Sequence, residues 1–144
     1  MTAEEERKRY LLWAEDYRSA AKRELESSSP SKQVVGHLNW HATELSLKAL
    51  AIGHGMPTDV RPHDLDNVTK HLLKNSVLNN SDYEYLKPLY AHVTGSANDY
   101  SEARYPGKDP GYWDGITQDQ LRQAFDAGSS VQAFVMKKLQ KTKI

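Results

Sequence analysis

Apolar residues recur at steps of three and four along each long segment of this chain, which is the spacing of one face of an α-helix. No segment alternates apolar and polar residues long enough to predict a strand. Amphipathic helices with short connections pack as antiparallel bundles. The pattern therefore predicts an all-α fold: one domain over residues 1–144, built as an antiparallel bundle of about five helices, four long and one short.

The second predicted helix has the richest apolar pattern, and we expect its stretch from Val34 to Ile52 to be the most buried part of the protein. The first and last helices each show one apolar stripe that we expect to face the core. The stripes contain Tyr10, Trp13, Ala14, Tyr17, Ala20, Ala21 and Leu25 in the first helix, and Leu121, Ala124, Phe125, Gly128, Gln132, Val135 and Leu139 in the last.

Capping signals predict where several helices begin. Ser29, followed by Pro30, predicts the start of the second helix. Three pairs have the spacing of a capping box: Thr2 with Glu5, Ser81 with Glu84, and Thr117 with Gln120. A short third helix is predicted from about Asp64 to Lys74. Pro88 lies inside the fourth, so we expect a kink there or a helix that begins near it.

The amino-acid composition of the chain argues against several kinds of binding partner. Lys and Arg together number 19, as do Asp and Glu, so the formal net charge is zero, which argues against a protein that coats nucleic acid electrostatically. No DNA partner is expected. The chain contains no cysteine, which excludes disulfides and thiolate metal sites. The acidic start and the lack of a long apolar run predict no targeting peptide and no membrane partner, and we expect a cytoplasmic protein.

Enzyme motifs are mostly missing, since the chain has no phosphate-binding glycine loop and no HExxH sequence. His37, His41 and Glu44 share one face of the second helix and could hold a zinc ion. Lys48 continues this stripe by one turn, however, and its charge would oppose metal binding. We therefore interpret these residues as the polar lining of a surface, and we expect no metal and no cofactor.

Glu44 and Lys48 also have the spacing of a helical ion pair. Such a pair is commonly exposed and contributes little to stability. Leu45, Leu47 and other apolar residues surround this one, and charged groups in apolar surroundings usually have dedicated partners. Near the third helix, Asp64 has a capping role available to it, whereas His63 has no comparable structural explanation.

Four stretches together resemble the HEPN family. They are "LLWAEDYRSAAKREL" (residues 11–25), "HATELSLKALAIGHG" (41–55), "HDL" (63–65) and "YSEARYPG" (100–107), and they follow the order found in that family. The resemblance implies a bundle of about five helices, usually a homodimer. It also implies association with nucleotides or RNA, and a nucleotidyltransferase partner protein as in toxin–antitoxin systems. Some HEPN proteins are metal-independent ribonucleases.

The ribonuclease members of that family carry an arginine followed a few residues later by a histidine. Arg104 matches the arginine, but Asp109 to Gly111 occupy the positions of the histidine, and no histidine follows His92. The chain thus lacks the proton-transfer group of the motif, so we favour a protein that is not an enzyme. Arg104 either belongs to a ligand site or pairs with Glu44 to tie two helices together.

From this resemblance we predict a polar, ligand-binding cleft. Its candidate residues are Arg104, Glu44, Lys48, His63 and Tyr100. The favoured function is a non-catalytic nucleotide- or RNA-associated binding module. A divergent metal-independent endoribonuclease and a helical interaction protein without a ligand are the alternatives. Because Tyr and Trp, 8 and 3 residues, outnumber the 2 Phe, the composition also favours a homodimer interface, to which Pro106–Trp113 would contribute.

Overall fold

A computed structural model describes residues 1–56, 65–93 and 113–141 of the chain, without the side chain of Lys141. This part of the protein is helical and contains no strand, which confirms the predicted all-α helical bundle. Its helices are α1 (Ala3–Leu25), α2 (Lys32–Gly53), α3 (Leu65–Lys74), α4 (Asn80–Val93) and α5 (Gln118–Lys141).

Contacts between side chains give the directions of the long helices. Arg7 near the start of α1 lies beside Gly53 at the end of α2, so these two helices are antiparallel. Lys138 of α5 pairs with Asp82 at the start of α4, so that pair is antiparallel as well. In contrast, α2 and α5 run in the same direction, because Asn39 bonds to Ala124 near the start of α5 and Gly53 lies beside Leu139 near its end.

Helix α2 lies at the centre and contacts each of the other four described helices. It carries more buried residues than α1, α3 or α4, which agrees with the expectation that Val34–Ile52 is the most buried stretch, although His37, Leu38, His41 and Lys48 are only partly buried. Val34 itself is 41% exposed. The main apolar cluster joins α2 to α3, α4 and α5 through Trp40, Leu50, Leu72, Leu86 and Val131.

Local capping was predicted correctly at two helix starts and wrongly at two others. Thr2 and Glu5 form the reciprocal bonds of a capping box, and so do Thr117 and Gln120. Helix α2 begins after Ser31 rather than Ser29, and Ser31 makes no side-chain capping bond. At α4, Asn79 and Asp82 exchange the capping bonds instead of Ser81 and Glu84. The Asn79 amide and the Asp82 carboxylate offer acceptor oxygens at the same three-residue spacing as the predicted pair.

Pro88 lies inside α4, and the helix begins well before it, at Asn80. The alternative of a helix that starts near Pro88 is therefore wrong. Trp113 packs its indole directly over Gly36 of α2, where the absence of a Cβ leaves room for the ring. This residue ends the Pro106–Trp113 segment that we associated with a dimer contact. The rest of that segment lies outside the described residues.

A buried arginine joins three helices. Arg18 of α1 is 9% exposed, and its guanidinium donates to Asn39 and Thr43 of α2 and to the Gly128 carbonyl and Gln132 of α5. Each of these acceptors is uncharged. Burial lowers the pKa of Arg18 to about 10, so the group remains charged at neutral pH. We call this set of five residues the Arg18 cluster.

The Arg18 cluster leaves no space for a side chain at Gly128. A Cβ there would lie under 3.0 Å from Asn39, Arg18 and Thr43. We expect Gly128→Ala to lower the free energy of unfolding by about 1–3 kcal/mol, as overpacking does. Helix propensity alone predicts the opposite sign, a gain of about 1 kcal/mol. Chemical denaturation of the purified variant measures which effect is larger.

Gly53→Ala is the matched control for this substitution. A Cβ at Gly53 would lie 3.0 Å from Leu139 Cδ2 and 3.3 Å from Arg7 Cδ, so it needs a much smaller adjustment than a Cβ at Gly128. We expect its free energy of unfolding to stay within about 1 kcal/mol of the wild-type value. A Gly128→Ala protein that is more stable than the wild type would contradict the packing described for the Arg18 cluster.

Candidate functional site

Two of the five predicted site residues, Glu44 and Lys48, lie within the described part of the chain. Lys48 Nζ lies 3.2 Å from Glu44 Oε2, and His41 Nδ1 lies 3.3 Å from Glu44 Oε1. The Glu44 side chain is 8% exposed and that of Lys48 12%. The predicted pairing is therefore observed, and the pair is largely buried rather than on an open surface. Arg104, His63 and Tyr100 lie outside the described residues.

The protonation of Glu44 reflects two opposing effects. Burial raises the pKa of Glu44, but the contact with His41 and the charge of Lys48 outweigh it, so the net pKa lies below the ordinary value of 4.5. Glu44 is thus a carboxylate at neutral pH. The Glu44 carboxylate pairs with Lys48 on the next turn of α2 and contacts the His41 imidazole on the preceding turn.

An aromatic contact from α1 positions His41. The Tyr17 ring meets the imidazole edge-on, with ring centroids 4.7 Å apart. The His37 ring is nearly parallel to that of His41, at a centroid distance of 6.4 Å. Among the residues that the structure describes, no three His, Asp or Glu side chains group as metal ligands. His37, His41 and Glu44 are instead organised by ring contacts and by the ion pair.

The ion pair lies at the floor of a groove of ≈ 440 Å³ between α1 and α2, which we call the α1–α2 groove. The lining residues from α1 are Glu6, Arg9, Tyr10 and Trp13, and those from α2 are His41, Glu44, Leu45 and Lys48; Met1, which precedes α1, also lines the groove. The groove therefore combines two aromatic rings, an apolar floor residue and a buried pair of charges.

Trp13 corrects the predicted apolar stripe of the first helix. We expected it to face the core, but its side chain is 56% exposed and forms a wall of the α1–α2 groove. The buried stripe of α1 consists of Ala14, Arg18, Ala21 and Leu25. Because Arg18 is drawn inward by its hydrogen bonds, α1 is rotated so that Trp13 points outward.

The Arg18 cluster and the aromatic part of the groove were both missed at the level of sequence. One signal for the cluster was available: Gln132 is polar yet lies on the apolar stripe of α5, and Asn39 and Thr43 are polar residues four apart on the most apolar helix. Polar groups at such positions need buried partners. Nothing in the local sequence, however, identified Arg18 as that partner.

Comparison of the chain with protein-family models, with curated proteins and with solved structures gives no match. No helix in the described ranges is both long and apolar enough to cross a membrane. The inference about function therefore depends on the geometry of the α1–α2 groove and on the resemblance carried by the sequence.

The pKa of Glu44 predicts a specific dependence of stability on pH. Because the folded pKa lies below the unfolded one, the stabilising contribution of Glu44 is present above pH 4.5 and is lost as the pH falls through the folded pKa. In Glu44→Gln this contribution is absent and Lys48 loses its partner. We expect that variant to be less stable at neutral pH by about 1–3 kcal/mol and to lose less stability on acidification.

Thermal melting across a series of pH values measures this difference. Asp66, whose pKa is also lowered, contributes to acid destabilisation in both proteins, so the difference between them isolates Glu44. Glu84→Gln, which changes an exposed glutamate of α4, is the control and should follow the wild type. Parallel pH profiles for wild type and Glu44→Gln would show that folding does not lower the pKa of Glu44.

Proposed function

We propose that this protein is a non-catalytic, nucleotide- or RNA-associated binding module of the HEPN type. The observation that carries the proposal is the position of the Glu44–Lys48 pair. A largely buried ion pair forms the floor of an open groove, and the exposed indole of Trp13 forms its wall. The HEPN-like motifs of the sequence independently support a function with nucleotides.

A buried ion pair costs desolvation free energy, and its replacement by apolar residues of similar volume is often neutral or stabilising, so stability alone is a weak reason for such a pair. Here the α1–α2 groove leaves Glu44 and Lys48 next to an unfilled volume of ≈ 440 Å³. Aromatic side chains beside cationic ones are typical of surfaces that bind single-stranded nucleic acid or nucleotides, because bases stack on rings. Trp13 and Tyr10 supply the rings, and Arg9 supplies a cation.

The resemblance to the HEPN family also suggests partners for the proposed module. In this proposal the protein is a cytoplasmic homodimer that works with a nucleotidyltransferase, and the two proteins form a pair like those of toxin–antitoxin systems. Arg104, His63 and Tyr100 would add polar groups to the ligand site. Arginine suits such a role because it stays protonated and can donate several hydrogen bonds at once.

One observation favours a second function, a helical interaction protein. Leu12 is 58% exposed next to Trp13, and adjacent exposed apolar residues on one helix are typical of a protein contact. The two functions differ in their ligand. The first requires binding of nucleotide or RNA by the isolated protein, and the second requires none.

Substitution of Lys48 tests the proposed function. In Lys48→Met the floor of the groove carries the uncompensated charge of Glu44, which repels a polyanion by about 1 kcal/mol at short range. We expect the affinity for single-stranded RNA to fall about fivefold. Anisotropy of a fluorophore-labelled oligoribonucleotide measures the affinity, and circular dichroism checks that the fold is retained.

Lys70→Met is the matched control. Lys70 pairs with Asp66 at the same spacing, with Nζ 3.0 Å from Oδ2, but this pair lies on α3 and does not line the groove. We expect its RNA affinity to equal that of the wild type. A wild-type protein that binds neither RNA nor nucleotides would rule out the binding module and leave the helical interaction protein.

The purified protein should not cleave RNA efficiently in the absence of metal ions. Arginine is a poor proton shuttle at ordinary pH, and the residues after Arg104 lack the histidine that would titrate near neutrality. Incubation with labelled RNA, followed by gel electrophoresis, measures cleavage. Robust cleavage that disappears in both Arg104→Ala and His63→Ala would instead establish the divergent ribonuclease.

A further inference from the structure

We propose that the α1–α2 groove binds an uncharged nucleobase stacked on Trp13 and leaves the phosphates outside. This inference depends on the proposed nucleotide or RNA association and specifies which part of the ligand the groove recognises. It arises from the charge balance of the groove, from the exposure of its aromatic wall and from its size.

The carboxylate side chains that line the groove are balanced by its lysine and arginine side chains. Glu6 and Glu44 oppose Arg9 and Lys48, two carboxylates against two cations. Of these cations, Lys48 is already paired with Glu44 at 3.2 Å. A phosphate at the floor would meet the Glu44 carboxylate as well as the ammonium group of Lys48, so repulsion would offset much of the attraction. The floor therefore suits a neutral group.

The walls of the groove suit a flat ring. The indole of Trp13 is 56% exposed, which leaves a face open for stacking, and Tyr10 and Leu45 add apolar surface beside it. A volume of ≈ 440 Å³ lies in the range of pockets that hold small molecules. Stacking on an aromatic side chain contributes about 1–3 kcal/mol per base and needs no phosphate contact.

The rim supplies partners for the edge of a base. Glu6 and Arg9 both line the groove from α1, with side chains that accept and donate hydrogen bonds respectively. The hydrogen-bonding edge of a nucleobase presents both donors and acceptors. A plain hydrocarbon ring would leave these two groups without a ligand partner, whereas a nucleobase can satisfy them. The complementarity therefore favours a heteroaromatic ring.

Salt dependence separates base recognition from phosphate recognition. Each phosphate of a single strand that a protein neutralises lowers the affinity about fivefold when the salt concentration rises tenfold. We expect the affinity of the full chain for an oligoadenylate to change by less than about twofold over that rise. Adenosine and adenosine monophosphate should bind with equal affinity, measured by isothermal titration calorimetry.

Substitution of Trp13 tests the stacking surface itself. Trp13→Ala should weaken both adenosine and oligoadenylate about fivefold to a hundredfold, and Trp13→Phe should restore part of the affinity. Leu12→Ala is the matched control, because Leu12 is the neighbouring residue, is 58% exposed and does not line the groove. It should bind like the wild type.

The outcomes distinguish this inference from the proposed function. Three results would overturn base recognition and leave RNA association intact. They are an RNA affinity that falls steeply with salt, binding of adenosine monophosphate but not of adenosine, and an RNA affinity that is unchanged in Trp13→Ala. Absence of binding to adenosine, adenosine monophosphate and oligoadenylate alike would overturn both. An abasic oligomer of ribose phosphate that binds as tightly as oligoadenylate would also exclude the base as the recognised group.

Discussion

The buried guanidinium of Arg18 is the interaction on which the arrangement of α1, α2 and α5 depends. A charge removed from water must recover the lost hydrogen bonds, and Arg18 recovers them from uncharged acceptors on two other helices. Guanidinium donors point in fixed directions, so the acceptors on α2 and α5 have to be correctly placed relative to α1 at the same time. Gly128 allows this approach because its missing side chain leaves the space that the guanidinium and its partners fill.

That constraint explains the geometry of the α1–α2 groove. Arg18 and Trp13 are five residues apart, which separates their directions by roughly 140° around the helix. Hydrogen bonds that hold Arg18 inward consequently turn Trp13 outward, where it forms a wall of the groove. The same orientation places Tyr17 against His41, whose imidazole contacts Glu44. The buried cluster thus determines which residues of α1 face the candidate site.

Features that arise from local interactions were predictable from the sequence. The helical periods, the capping boxes at Thr2 and Thr117, and the Glu44–Lys48 pair all depend on residues three or four apart. Features that depend on contacts between residues far apart in the chain were not predictable from the sequence. The prediction of an apolar stripe places tryptophan inside and arginine outside. In α1, Trp13 is exposed and Arg18 is buried, because Arg18 bonds to partners up to 114 residues away in the chain. At α4, two overlapping capping signals competed, and the wrong pair was chosen.

Arg18 of α1 and Lys48 of α2, two largely buried cations, differ in a way that separates a structural role from the proposed binding role. Arg18 is enclosed, its donors are directed at Asn39, Thr43 and α5, and a Cβ at Gly128 has no room beside it. Lys48 has one carboxylate partner and adjoins open volume. Enclosure fixes a structure but leaves nothing for a ligand to contact. An ion pair that adjoins free space can exclude a charged ligand and accept a neutral one, because its own charges already cancel. For that reason we place the proposed ligand recognition in the α1–α2 groove rather than in the Arg18 cluster.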